Sequence, residues 1–166
     1  MSNTLVFGKR ALTWAVVVAT IAPTDAQAHL RNGLAMGANR AIHVVSDQPI
    51  QPLTAARTLL KLIDRHRPTT ISILELGCGP GWLSIFLAQM GFRVAGYDIS
   101  PAMITVAKHR STTLKLERVR FGVADMEKTH IEAEAGRHDV VIMYDALHHC
   151  LDEAAVLRHC YHYLKP

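Results

Sequence analysis

The sequence predicts an α/β fold in which a parallel sheet carries helices on both faces. Three observations predict it, and all lie within residues 71–98. Residues 71–76 form a short apolar run that ends at glycines, as buried parallel strands do. Residues 82–90 repeat apolar side chains at helical spacing, with Gly91 where a helix should end. Residues 93–97 then form a second strand, which completes a βαβ unit.

The connection between the first strand and its helix is a glycine loop, residues 77–81, with the sequence Gly-Cys-Gly-Pro-Gly. Gly77, Gly79 and Gly81 permit a sharp turn and let bare backbone approach a ligand in front of the helix N-terminus. Asp98 ends the second strand about 20 residues later, where its carboxylate can accept hydrogen bonds from two ribose hydroxyls. The unit therefore predicts a nucleotide-like ligand in a Rossmann-like crevice.

The spacing of the glycines separates two classes of ligand. A dinucleotide fingerprint reads G-x-G-x-x-G, whereas this loop reads G-x-G-x-G and is preceded by Glu75. The run E-L-G-C-G-P-G, with an acid closing the next strand, closely resembles motif I of class I S-adenosylmethionine-dependent methyltransferases. The resemblance implies S-adenosylmethionine as cofactor, with its methionine moiety at the three glycines and its ribose at Asp98. Glu75 would support the loop, or the amino group through water.

Downstream segments continue the resemblance. The run D-I-S-P-A-M is a frequent continuation in the family, with Ser100 suited to cap a helix and Pro101 to its first turn. The resemblance implies that Met103 lies against the adenine; a methionine packed in the core is the alternative. Residues 119–124 predict a third strand. Asp125 after it matches the acid that bonds the adenine amino group in the family, unless it only caps the loop.

A fourth predicted strand, residues 138–144, leads into the candidate catalytic residues. Ligands bind outside the carboxyl ends of parallel strands, so Asp145, His148 and His149 should lie where methyl transfer occurs. The run D-A-L-H-H resembles motif IV of small-molecule methyltransferases. Either histidine could serve as general base for a hydroxyl acceptor, with Asp145 orienting it. The alternative is a histidine that caps the next helix, residues 152–164, or packs against the cofactor.

The chain divides into three predicted regions. Residues 1–30 have the parts of a secretory leader, with basic residues before an apolar stretch too short to span a membrane; a packed helix is the alternative. Residues 31–52 show no sustained period and predict a loop or cap. Residues 53–166 predict the cofactor-binding domain, which begins with a helix over residues 53–66. By the resemblance it is roughly the N-terminal two-thirds of a methyltransferase domain.

The predicted sheet contains four strands in the order 3-2-1-4, and the resemblance implies further strands beyond the fourth. We therefore expect a C-terminally truncated domain whose sheet is incomplete on that side. The middle of the fourth strand, residues 140–143, is wholly apolar. As an open edge it would recruit a neighbour, so self-association through the exposed fourth strand or marginal stability is expected.

Composition sets further limits. The 166 residues are 49% hydrophobic and 19% charged, which suffices for a packed core. The net charge is +4 but the basic residues are scattered, so nucleic-acid binding is not expected. Three cysteines at irregular spacing favour a reducing compartment, and the histidine and cysteine spacings match no metal site. We expect a cytoplasmic protein, or an exported one if residues 1–28 are a true signal peptide.

The sequence thus predicts an S-adenosylmethionine-dependent methyltransferase acting on a small-molecule acceptor. Two alternatives stay open. One is a non-catalytic remnant that binds cofactor, or nothing, because its C-terminal strands are absent. The other is an NAD-type oxidoreductase on the same fold, which would require the G-x-G-x-x-G spacing and a pyrophosphate at the helix N-terminus.

Overall fold

The computed structural model describes residues 71–128 and 131–165, together with the backbone of two strands nearer the N-terminus. This part of the chain holds six strands and three α-helices. In chain order they are β1 (Ala15–Ala19), β2 (Ala41–Val44), β3 (Ser72–Leu76), α1 (Trp82–Gln89), β4 (Arg93–Asp98), α2 (Pro101–Thr113), β5 (Val119–Val123), β6 (Val140–Tyr144) and α3 (Glu153–Tyr163). Within it, no helix combines the length and the apolar character needed to cross a membrane.

All six strands run parallel, in the order β2-β1-β6-β3-β4-β5. Four of them, β5-β4-β3-β6, reproduce the predicted order 3-2-1-4, so the predicted Rossmann-like α/β fold is confirmed. β3 and β6 lie inside the sheet, and four of the five residues in each are buried. Strands covered on both faces need this continuous apolar character.

The fourth predicted strand, β6, is not an edge of the sheet, so that expectation was wrong. β6 pairs with β3 on one side and with β1 on the other, where residues 15–19 run in register with residues 140–144. β1 pairs in turn with β2, so the edges of the described sheet are β2 and β5. An open fourth strand was the reason to expect self-association, and β1 removes that reason.

Two predictions for the N-terminal part need correction. Residues 15–19 form a strand rather than part of a helix, because three consecutive valines favour extended backbone and β6 offers them a parallel partner. Residues 41–44 also form a strand, where the sequence predicted a loop or cap. The rest of residues 1–52, and with it most of the leader-like segment, lies outside the described residues, as does the helix predicted over residues 53–66.

Helices cover both faces of the sheet, and successive residues of β3 point to opposite faces. Ile73 shares a buried cluster with Leu83 and Leu87 of α1. Leu74 belongs to the cluster on the other face, with Val156 of α3. The helix α2 lies on the same face as α1 and joins a third buried cluster that contains Ile85, Ile104, Ala107 and Phe121.

Side chains cap the starts of α2 and α3; the cap of α2 was predicted, whereas the cap of α3 was not. Ser100 Oγ accepts a hydrogen bond from the Met103 N–H at 3.4 Å, and Pro101 is the first residue of α2. Asp152 Oδ1 accepts from the Ala155 N–H at 2.8 Å at the start of α3. These side chains satisfy amides that a helix leaves unpaired at its N-terminus. α1 instead follows the glycine loop directly.

A buried polar network fastens the segment before β6 onto the α3 face of the sheet. The Glu134 carboxylate accepts hydrogen bonds from the Tyr97 hydroxyl at 2.7 Å and from the Arg120 guanidinium, and pairs with His138 Nε2 at 2.7 Å. His138 Nδ1 lies 3.0 Å from Ser72 Oγ. Burial opposes charge on Glu134, but these hydrogen bonds hold its pKa below the usual range. Burial lowers the pKa of His138, which favours a neutral ring.

Candidate active site

The glycine loop is held from one side by the end of β4. The N–H groups of Gly77 and Cys78 both donate to the Tyr97 carbonyl oxygen, at 2.8 and 3.0 Å. The Gly79 N–H donates to Asp98 Oδ2 at 2.8 Å. Because these three consecutive amides are bonded to β4, the loop has a defined position relative to the acid that ends that strand.

The three glycines of the loop have positive φ, yet their surroundings differ. A Cβ at Gly77 would lie 2.4 Å from Ala146 Cβ, and one at Gly81 would lie 2.8 Å from the Phe121 ring. A Cβ at Gly79, where φ is +51°, would meet nothing within 4 Å. Gly77 and Gly81 are therefore required by packing, whereas Gly79 borders open space. The backbone at Gly79 is the part of the loop that a ligand can approach closely.

Asp98 has a function in the structure that the sequence did not reveal. Besides accepting from Gly79, its carboxylate accepts the Ser100 N–H at Oδ1, at 2.8 Å. An ionised carboxylate offers about four acceptor sites, so these two bonds leave capacity for two ligand hydroxyls. The half-buried side chain thus fits the predicted ribose contact and also holds the loop. The D-x-S spacing signals the Ser100 bond, because aspartate commonly accepts from the amide two residues on.

Glu75 lies beneath the loop and connects its two ends. It is 2% exposed, and Ser84 in the first turn of α1 donates its hydroxyl to Glu75 Oε2 at 2.5 Å. Burial raises the pKa of Glu75 to about 7 against the opposing effect of the Ser84 hydrogen bond, and the charge on Asp98 contributes to the rise. Of the two roles predicted for Glu75, these contacts favour support of the loop.

The loop after β5 has hydrogen bonds within itself and with the residues at the start of α3. Asp125 Oδ1 accepts from the Glu127 N–H at 2.9 Å, which lowers the pKa of Asp125, and Lys128 Nζ lies 3.5 Å from its other oxygen. Glu127 Oε1 in turn accepts the N–H groups of Leu151 and Asp152 at 2.8 and 2.9 Å. Asp125 therefore has the loop-capping contact that was the alternative to adenine binding, and the adenine contact stays a prediction.

Met103 lies in the first turn of α2 and is 43% exposed. This exposure argues against the alternative in which Met103 is a core residue. Its side chain begins at the carboxyl edge of the sheet, next to the turn that Asp98 and Ser100 form. A contact with the adenine ring remains a prediction for this residue.

The candidate catalytic residues lie in an acceptor loop, residues 145–150, that touches the glycine loop. Ala146 occupies the space beside Gly77. Met126 Cε, from the loop after β5, lies 3.8 Å from the position that a Cβ on Gly77 would take. Three loops therefore meet at Gly77. Asp145 and His148 in the acceptor loop are exposed, and Asp145 Oδ1 lies 3.6 Å from His148 Nδ1.

His149 is the neighbour of His148 in a short 3-10 helix, Leu147–His149. The two rings are 4.0 Å apart between centroids and tilted by 44°. The structure therefore brings all three candidate catalytic residues together, with His148 the one nearer to Asp145. Among the residues that the structure describes, no group of three histidine, cysteine or acidic side chains could hold a metal ion.

Residues 73–166, more than half of the chain, match the profile of a family described as Methyltransferase domain. This chain belongs to that family. The match covers the glycine-loop unit, the loop after β5 and the acceptor loop. The family description agrees with the methyl transfer from S-adenosylmethionine that the sequence predicts, and it gives no support to the NAD-type oxidoreductase alternative. The open position at Gly79 and the acceptor capacity of Asp98 fit this cofactor.

Relatives among characterised proteins agree with the family. The chain is 32% identical over 123 residues to the ubiquinone biosynthesis O-methyltransferase of Xanthomonas axonopodis pv. citri, which covers 73% of this chain and 51% of that protein. It is 37% identical over 100 residues to the enzyme of the same name from Pseudomonas entomophila, covering 57% and 40%. The chain thus spans about half, or less, of the length of these curated relatives.

Solved structures give the same result. An S-adenosylmethionine-dependent methyltransferase from Mesorhizobium loti aligns with a TM-score of 0.52 and 28% identity, over 58% of this chain and 43% of that one. A methyltransferase of the same kind from Aquifex aeolicus aligns with a TM-score of 0.57 over 66% and 58%. At 20% identity the second comparison shows the fold alone.

Proposed function

We propose that this chain transfers a methyl group from S-adenosylmethionine to a hydroxyl group of a small molecule. The observation that carries the proposal is the meeting of three loops at Gly77, beside the open position at Gly79. The exposed pair Asp145 and His148 belongs to the same loop as Ala146, which lies beside Gly77, and this supports a place for the pair near the methyl donor. The names of the curated relatives, O-methyltransferases of ubiquinone biosynthesis, favour oxygen as the acceptor atom.

On the donor side, residues of the chain bind and orient the cofactor. The free acceptor capacity of Asp98 would bind the two ribose hydroxyls, and the bare backbone at Gly79 leaves space for the methionine part. Through its hydrogen bond with Ser84, Glu75 holds the end of β3 and the start of α1 together beneath the loop. Met103 and Asp125 would contact the adenine from the starts of α2 and of the loop after β5. Alignment of donor and acceptor is the main contribution that such residues make to the rate.

On the acceptor side, His148 would act as the general base. When bound, S-adenosylmethionine supplies an electrophilic methyl group on a positively charged sulfur. The acceptor oxygen would form the new bond to the methyl carbon as the carbon–sulfur bond breaks and S-adenosylhomocysteine leaves, and the acceptor's proton would pass to the His148 imidazole. Asp145, 3.6 Å away, stabilises the positive charge that the ring gains. His149 packs against His148 and restricts its ring.

The test is a transfer assay that follows the formation of S-adenosylhomocysteine with matched phenol, amine and thiol acceptors. The proposal predicts turnover with the phenol, a kcat about 10²- to 10⁴-fold lower in His148→Gln, and less than about a tenfold change in His149→Gln. Methylation of the amine alone would overturn the assignment of a hydroxyl acceptor. Tight binding of S-adenosylhomocysteine with no turnover on any acceptor would instead identify a non-catalytic cofactor-binding chain.

We further propose a cytoplasmic location for this activity, because the chain must share a compartment with its cofactor. The three cysteines all lie among the described residues and all are free thiols. Free thiols persist in reducing compartments. Fractionation of cells that express the full-length gene product tests the proposal, and recovery of the protein outside the cytoplasm would contradict it.

A further inference from the structure

The glycine loop has a second fastening, on the side away from β4. The bonds to Tyr97 and Asp98 hold residues 77–79, and the Gly81 N–H donates to the Cys78 carbonyl at 2.9 Å. None of these bonds restrains the Pro80 carbonyl or the exposed ring of Trp82, the first residue of α1. Both of these groups point toward α2.

We propose that Arg110 of α2 is a positioning residue that fixes the glycine loop in its ligand-binding conformation. Its Nη1 donates to the Pro80 carbonyl oxygen at 3.1 Å, and its guanidinium carbon lies 3.4 Å from the centroid of the Trp82 ring. The planar guanidinium thus holds both Pro80, which follows Gly79, and Trp82, which follows Gly81. A guanidinium can form a directed hydrogen bond and stack on an aromatic face at the same time, which an ammonium cannot do as well.

The packing of α2 on the loop explains how Arg110 reaches it. Ala107 lies one helical turn before Arg110, and its Cβ is 3.0 Å from the position that a Cβ on Gly81 would take. This close approach puts the helix face of residues 107 and 110 against the outer side of the loop. The start of the same helix is tied to Asp98 through the Ser100 N–H. The helix α2 therefore holds both the acid and the loop that flank the opening at Gly79.

The functional consequence is preorganisation of the cofactor site, and the inference rests on the proposed function for this reason. A loop already held in its bound conformation loses less conformational freedom when the ligand binds. The hydrogen bond and the ring contact of Arg110 go to Pro80 and Trp82, on the donor side of the site. Loss of Arg110 should therefore weaken binding of the cofactor and leave the chemical step unchanged.

The test compares Arg110→Ala with Lys108→Ala, which removes an exposed positive charge from the same helix. In Arg110→Ala we expect the Kd for S-adenosylhomocysteine and the KM for S-adenosylmethionine to rise about fivefold to tenfold, with kcat within a factor of about two. Lys108→Ala should stay within about twofold of the unchanged protein in all three. Equal effects of the two substitutions, or an unchanged Kd in Arg110→Ala, would overturn the proposal.

Two further measurements separate positioning from general stability. Trp14 and Trp82 are the two tryptophans of the chain, so Trp14→Phe leaves Trp82 as the sole indole reporter. In that background Arg110→Ala should increase the quenching of Trp82 fluorescence by acrylamide, whether or not ligand binds. Arg110→Lys should bind S-adenosylhomocysteine better than Arg110→Ala but more weakly than the unchanged protein. Full affinity in Arg110→Lys would show that a positive charge is sufficient and would contradict positioning by the guanidinium. If the unchanged protein binds no S-adenosylhomocysteine, the proposed function fails, while the fluorescence result still tests the contact.

Discussion

The donor side and the acceptor side of the site are built differently. On the donor side, the glycine loop donates two hydrogen bonds to the Tyr97 carbonyl, at 2.8 and 3.0 Å, and one to the Asp98 carboxylate at 2.8 Å, above the buried Glu75. On the acceptor side, Asp145 and His148 are exposed, and Asp145 Oδ1 lies 3.6 Å from His148 Nδ1. A rigid donor side suits a cofactor that never changes, whereas exposed loop residues can adapt to different acceptors.

The largest expected effect concerns Glu75, because burial gives it a pKa of about 7 against an ordinary 4.5. The unfolded chain ionises this carboxyl from pH 4.5 upward while the folded protein keeps it protonated. Stability is therefore lost as the pH rises from 4.5 to 7, by about 3 kcal/mol in all, and the loss is complete above pH 7. Glu75→Gln should remove this dependence, as urea unfolding across the window would measure.

The matched change on the acceptor side is Asp145→Asn, which alters an exposed carboxylate. Its free energy of unfolding should stay parallel to that of the unchanged protein between pH 4.5 and 7. If the free energy of unfolding of Glu75→Gln also stays parallel to that of the unchanged protein, then Glu75 does not titrate in this window. The donor side would then be less buried than we describe.

The second effect is on affinity. Asp98→Ala removes the acceptor for Gly79 and Ser100 together with the proposed ribose contacts, so the affinity for S-adenosylhomocysteine should fall by about 2–3 kcal/mol. Calorimetric titration measures this loss. His148→Gln, on the acceptor side, is the control and should bind within about twofold of the unchanged protein. An Asp98→Ala Kd within twofold would contradict the donor-side assignment.

A third, smaller effect separates two glycines of the same loop. Gly77→Ala drives a methyl group into Ala146 and should destabilise the fold by about 1–3 kcal/mol. Gly79→Ala meets open space and should cost only the backbone strain, about 1 kcal/mol. Thermal unfolding of both variants without ligand ranks them. Equal loss of stability in the two would mean that Gly79 does not border an opening.

The smallest effect is expected from His148→Gln on stability. The side chain is exposed and its contact with Asp145 is long, at 3.6 Å, so the free energy of unfolding should change by less than about 0.5 kcal/mol. Chemical denaturation measures it, alongside the loss of kcat predicted for the same variant. A destabilisation above about 1.5 kcal/mol would give His148 a structural function instead of a place in an adaptable acceptor side.

The parts of the fold that were predicted are those that local pattern determines. The β3–α1–β4 unit follows from glycine and apolar spacing, and the strand order follows from handed parallel connections. The position of β1 beside β6 could not be predicted, since the two are far apart in the chain and a short apolar run also fits a leader or a helix. A strand partner contributed from so far away leaves no local signal.

The candidate site divides in the same way. Strand ends, glycine spacing and the family resemblance pointed to Asp98, Gly79 and the acceptor loop as candidates. They do not reveal which groups a buried carboxylate contacts, so the Glu75–Ser84 pair and the network around Glu134 were missed. Neither was Arg110 found, because its contacts cross between two helices. Such contacts depend on packing distances that spacing along the chain does not contain.

The most direct test of the central claim, that the opening at Gly79 holds the cofactor, is titration of S-adenosylhomocysteine into Gly79→Val and Gly136→Val. Both glycines have positive φ, +51° and +62°, and a Cβ at either meets nothing within 4 Å, so backbone strain is matched. Gly136 lies in the turn before β6, at the opposite edge of the sheet. We predict that Gly79→Val loses measurable binding while Gly136→Val keeps its Kd within about twofold, both with unchanged circular dichroism. Binding retained in Gly79→Val, or lost equally in both, would contradict the claim.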